Sequence, residues 1–176
     1  MFTKSISSAL LLTLFSATMA TSHATLEVQS AAVGSTYKGV MRIGHGCDGQ
    51  ATLSVAIQIP EGMISVKPMP KPGWALDTQS GAYARSYEYY GNTLTEGVQQ
   101  IIWTGSLKDT HYDEFVFRGT LSDTLTPGES LYFPTVQTCA DGTSEWINIP
   151  AKGQDPHDLE DPAPGLVLSD PAHAHH

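Results

Sequence analysis

Positive charge is scarce in this chain: nine Lys and Arg stand against eighteen Asp and Glu. With no basic stripe, nucleic acid is excluded as a partner. Cysteine is scarcer still. Cys47 and Cys139 are the only two, and no CxxC spacing is present to suggest a thiolate metal site. GxSxG, HExxH and a phosphate-binding glycine loop are all missing, which argues against hydrolase and nucleotide chemistry. The acidic pair Asp113–Glu114 does not fill the gap, because neighbouring strand residues point to opposite faces. Long amphipathic helices and internal repeats are lacking too. Beyond the first stretch, no apolar run is long enough to cross a bilayer.

That first stretch reads as a secretory leader spanning residues 1–22. Lys4 gives the positive start, "ALLLTLF" the apolar centre, and small residues follow. Export places the remaining chain in an oxidising compartment, where two cysteines are expected to pair as one Cys47–Cys139 disulfide.

What is present is strand after strand. "LSVAIQI" predicts Leu53, Val55, Ile57 and Ile59 on one face, with Ser54, Ala56 and Gln58 on the other. "TLEVQ", "YKGVMRI", "YARSYEYY", "VQQIIWTG", "YDEFVFRGTL", "SLYFPTVQTC" and "EWINIP" read likewise. Turn signals separate them: "CDG", "PEG", "KPG", "YGN", "TPGES" and "ADG". The expected fold is all-β, an antiparallel Ig-like β-sandwich over residues 23–150. Residues 151–176 change character. They are rich in Pro and Asp and read as an extended strap, with "GLVL" suited to dock and a histidine-containing tail expected to be disordered.

In "EWINIP" the alternation sets Trp146 and Asn148 against Ile147 and Ile149. Isoleucines pointing inward would leave Trp146 on the outer face or at a rim. The other reading is that the strap covers it.

Histidine is the remaining chemistry. His111 sits in a polar turn and reads as solvated, and His157 as a hydrogen-bonding anchor for the strap. His173, His175 and His176 form a tail able to scavenge divalent metal loosely. His45, between glycines and two residues from Cys47, is placed to be a ligand on a pinned loop. His23 depends on processing. Cuts after Ala20, Ser22 and Ala24 all satisfy the small-residue rule, and only the second makes His23 the first residue. Its amine, with an ordinary pKa of about 7.7–8.0, would then chelate together with the ring. Two nitrogens from one residue suit tetragonal Cu(II), and binding should weaken as pH falls.

These segments resemble a known family, the YcnI-like exported copper-binding proteins, in its proteobacterial branch. The resemblance runs from "HATLEV" through "GHGCDG", "IQIPEG", "VKPMPKPGW", "HYDEFVFRG", "LYFPTVQTC" and "EWINIPA" to "DPHDLEDPAPGL". It implies a periplasmic sandwich that holds Cu(II) in a monohistidine brace. In members of the other branch the brace combines the N-terminal histidine with a loop glutamate, and a tryptophan lies close by. The histidine carries over to His23 and the tryptophan to Trp146, as a shield over the metal rather than a ligand. The glutamate does not carry over. "GHG" stands in its place, which makes His45 the replacement. The resemblance implies copper storage or transfer without turnover, with a periplasmic chaperone or membrane copper transporter as partner. Two other readings are a brace-type copper oxygenase and a non-metal adhesion module presenting "SYEYY".

Overall fold

The computed structural model describes residues 23–171. The leader and the last histidines lie outside the described residues. Twelve strands follow one another: β1 Thr25–Leu26, β2 Ser30–Ala32, β3 Thr36–Ile43, β4 Thr52–Gln58, β5 Met63–Pro68, β6 Ala75–Tyr89, β7 Asn92–Leu107, β8 Asp113–Leu121, β9 Ser130–Tyr132, β10 Thr135–Thr138, β11 Thr143–Trp146 and β12 Gly165–Ser169. They form a four-stranded sheet β1-β3-β8-β5, a five-stranded sheet β11-β10-β4-β7-β6 and a small sheet β2-β12-β9. Among the described residues, the one helical piece is a single 3-10 turn, Pro156–Asp158. No helix there is long and apolar enough to cross a membrane.

Alternation builds the core. Phe115, Phe117 and Leu121 of β8 point inward from the first sheet; Val55, Ile57, Ile101 and Trp103 point inward from the second, and all are essentially buried. Trp103 meets Phe115 edge-on across the gap, ring centres 5.6 Å apart. Each such side chain contributes about 1.5–3 kcal/mol by leaving water.

One expectation from the alternation shifts, and two features go beyond it. Leu53 is exposed and Thr52 is buried, because the β4–β7 register slips between Thr52 and Ser54 and turns the start of β4 over. β5 escapes the period-two rule because Met63 and Ile64 are both buried and Ser65 takes a left-handed backbone. The strap returns to the body: "GLVL" becomes β12, parallel to β2 and antiparallel to β9, with Leu166 and Leu168 in the core.

Candidate functional site

One end of the sandwich gathers the residues of interest. After β3 ends at Ile43, the chain runs through Gly44–His45–Gly46 into a tight hairpin in which Cys47 and Gln50 exchange backbone bonds of 3.2 and 2.9 Å. Its two central residues, Asp48 and Gly49, have φ of 48° and 82°, the requirement of a type I′ turn. Gly46 has no alternative, since a Cβ there would lie 1.6 Å from the Gln50 carbonyl oxygen.

The loop is clamped from outside as well. Cys47 is joined to Cys139. Gly46 N donates to Asp109 Oδ1 at 3.0 Å. The buried Gln137 donates from Nε2 to the His45 carbonyl at 2.7 Å and to Thr52 Oγ1 at 2.5 Å. Gln50 and Asp141 form a reciprocal pair at 3.1 and 2.9 Å.

His45 is half-buried, and its Nδ1 lies 2.5 Å from the Gly46 carbonyl oxygen. A carbonyl only accepts, so in the neutral ring the proton sits on Nδ1 and Nε2 keeps its lone pair. His45 lines a recess of about 440 Å³ with Asp48, Glu145, Trp146 and Asp161. Three carboxylates and no Lys or Arg line it, which favours a cation.

Trp146 is only 4% exposed and belongs to the core, whereas Ile147 and Ile149 are 41% and 57% exposed. The inward-isoleucine reading is therefore corrected. β11 ends at Trp146, paired with Thr135, and the strap then captures the next residues. Asn148 N donates to the Asp161 carbonyl at 3.3 Å, its Nδ2 to the Glu160 carbonyl at 2.7 Å, and it accepts from Ala163 N at 2.9 Å. Thr135 pairs in turn with the buried Ile57, so Trp146 faces the core from the five-stranded sheet, and it still forms part of the wall of the His45 recess.

His23 lies on the other side of that strap segment. It lines a separate recess of about 270 Å³ with Thr25, Tyr132, His157, Pro162 and Ala163. His45 and Trp146 thus share one recess, and His23 borders the next. Their connection is the ladder. Thr25 pairs with Arg42 and Leu26 with Met41, which brings the start of β1 alongside the end of β3, the strand that leads into the His45 loop.

His157 was expected to anchor the strap by hydrogen bonds. Its backbone N bonds to Asp155 Oδ1 at 2.9 Å, while the exposed ring has no hydrogen bond within the described residues. Its place facing His23 had no signal in the sequence, because the two are brought together only when the strap folds back. His111 is exposed in a turn held by its backbone. Among the described residues no three His, Cys, Asp or Glu side chains cluster closely enough to hold a metal by side chains alone. A donor set that takes two nitrogens from His23 needs only one further residue. The free Nε2 of His45, or the uncommitted ring of His157, fits that requirement.

The fold has a counterpart among solved structures. A crystal structure of an uncharacterized protein from Nocardia farcinica, described as having an immunoglobulin-like fold, superposes with a TM-score of 0.58 at 23% identity. The match covers 84% of this chain and 98% of that one. No curated protein matches the chain. The family model described as "Domain of unknown function (DUF1775)" matches residues 23–168, from the histidine before β1 to the end of the strap strand. The chain belongs to the DUF1775 family, the family of the YcnI-like proteins.

Proposed function

We propose that the chain is exported to the periplasm, cut after Ser22, and binds Cu(II) at the His23 end of the four-stranded sheet, for storage or hand-over and without turnover. The observation that supports this reading is the β1–β3 pairing of Thr25, two residues after His23, with Arg42, three residues before His45. Cleavage converts the His23 peptide nitrogen into an amine, and amine plus ring give two nitrogens from one residue. Cu(II), when bound, supplies the tetragonal acceptor such donors favour. His45 gives the third donor from its clamped loop. Trp146 walls the same recess and limits access of water and reductants, as groups behind a ligand shell do. The carboxylates of Asp48, Glu145 and Asp161 attract the cation. A periplasmic copper chaperone or membrane copper transporter is the fitting recipient.

The test is a Cu(II) titration of the processed protein followed by electron paramagnetic resonance. His23→Ala should abolish the high-affinity signal, and His45→Ala should change its nitrogen hyperfine pattern and weaken binding at least about tenfold. His157→Ala separates the two donors: it should leave the pattern intact if His45 is the third ligand. A His23→Ala protein that binds with the parent spectrum and affinity ends the brace reading.

A further inference from the structure

The chain is short of cations, yet it sets three of its nine Lys and Arg side by side. Arg118 of β8 stands directly opposite Lys38 of β3 on one side and Lys67 of β5 on the other, forming one row across the four-stranded sheet. All three are exposed, on the face away from Phe115 and Phe117. Like charges opposed in this way destabilise a sheet. Of the five other described Lys and Arg, two have carboxylate partners. Arg42 has Glu27 at 3.1 Å and Glu114 at 3.6 Å, and Lys71 has Asp113 at 2.5 Å. Among the described residues, no carboxylate pairs with Lys38, Lys67 or Arg118, on a chain carrying eighteen Asp and Glu.

Hydroxyl groups converge on the same place. A recess of about 140 Å³ is lined by Ser65, Lys67, Tyr89, Arg118, Gly119 and Thr120. Ser65 occupies it from a backbone of φ 52°, at the break in the β5–β8 register. That conformation is costly for a residue other than Gly, Asn or Asp, and a bulge of this kind re-aims a side chain. The surroundings of Tyr89 also favour negative charge. The Ser65 and Thr120 hydroxyls, and after them Arg118 and Lys67, lower the phenol from its ordinary value of 10.0. Beyond Lys67 and Arg118 lies a second, apolar recess of about 310 Å³, walled by Pro68, Met69, Pro70 and Val116.

We propose that Lys67 and Arg118, with the hydroxyls of Ser65, Thr120 and Tyr89, form a binding site for a phosphate or a phosphate monoester, the Pro68–Pro70 recess taking the organic part of an ester. A planar guanidinium fork, an ammonium and three hydroxyls offer more donors than one carboxylate can use, and they suit a tetrahedral oxyanion. The site is independent of the metal end. Lys38 and Gly44 are six residues apart on one strand line, roughly 20 Å at ~3.4 Å per residue.

The experiment is an amide NMR titration of the metal-free protein, kept in chelator at constant ionic strength, with inorganic phosphate in one arm and phenyl phosphate in the other. Saturable shifts at Ser65, Gly119 and Thr120 are expected in at least one arm. Tighter binding of phenyl phosphate identifies the ester as the ligand, and equal binding the free ion. Arg118→Gln and Lys67→Gln should each weaken binding about tenfold or more, as loss of a charge-assisted bond does. Ser65→Ala should weaken it several-fold, and Lys38→Gln, which borders the apolar recess but not the hydroxyl-lined one, should weaken inorganic phosphate binding less than about twofold. Arg118→Gln should also keep or raise the melting temperature, because it removes the central repulsion. Shifts that never saturate, or unchanged affinity in both Arg118→Gln and Lys67→Gln, overturn the proposal. Neither outcome bears on Cu(II), which is absent from the sample.

Discussion

The two recesses that flank the strap are held in opposite ways. Around His45 the loop is fixed by a disulfide, by the Gln137 and Asp109 bonds, by the Gln50–Asp141 pair and by a turn that only glycine fits at position 46. Around His23 the chain first enters the ladder at Thr25, in a strand of two residues, and the facing His157 rides on one exposed turn capped by Asp155. The difference separates a side chain whose loop is fixed by the fold itself from side chains whose segments have few ties. Ordering costs binding free energy, at about 0.5–1.5 kcal/mol per immobilised side chain. A ligand gripped from both sides would draw rigidity from His45 and adaptability from His23 and His157.

The firmest way to break this contrast is to remove the clamp. Replacing both Cys47 and Cys139 by serine opens a link between residues 92 apart. The chain-entropy limit for such a loop is ~4–5 kcal/mol, and a loss of about 2–4 kcal/mol in urea unfolding is expected. A loss below about 1 kcal/mol would show that the hydrogen bonds alone hold the loop. Next in size is Gly46→Ala. The added methyl would meet backbone, the Gln50 carbonyl oxygen at 1.6 Å, which cannot swing aside. The hairpin must open, at about 2–3 kcal/mol, and amide exchange at Cys47 and Gln50 should quicken. Gly49→Ala in the same turn meets nothing within 4 Å but has φ +82°. It should cost only about 1–2 kcal/mol, the strain of a left-handed alanine. Equal losses for the two variants would remove close approach as the reason for Gly46.

Local periodicity and turn chemistry made much of this contrast readable from residue order. "HGCDG" announced a tight turn beside a cysteine, and the alternation of Val55, Ile57 and Ile59 announced a half-buried strand. Contacts made at a distance were not readable. Gln137 is 92 residues from the His45 carbonyl it holds, and nothing near either residue specifies the pairing. Trp146 shows the limit most plainly. Its phase against Ile147 and Ile149 was correct, but which face is buried is set by the pairing of Trp146 with Thr135, on the same side as the buried Ile57. The place of His157 in the His23 recess was unreadable for the same reason, because the strap that carries it folds back only when β12 docks.

The smallest effect expected concerns the looser side and is read through pH. Tyr37 donates from its hydroxyl to the Val28 carbonyl at 2.6 Å, a tie just beyond β1. Burial, and after it the charge of Glu27, pushes its phenol up to about 12 from the ordinary 10.0. The folded state therefore keeps a proton that the unfolded chain gives up. The associated stability is whole below pH 10, falls between pH 10 and 12, and is gone above that window. Two units correspond to about 2–3 kcal/mol at most. Tyr87, pushed to about 12 by burial and by its bond to Glu61, acts in the same direction from β6. Tyr37→Phe separates the two. At neutral pH it should cost about 1 kcal/mol, the value of one hydrogen bond, and quicken amide exchange at Ala24 and Thr25 without touching Cys47 or Gln50. Between pH 10 and 12 its stability should fall less steeply than the parent's. An unchanged slope would assign the alkaline loss to the other raised phenols, Tyr87 first, and show that the N-terminal strand is held by its core contacts at Leu26 instead.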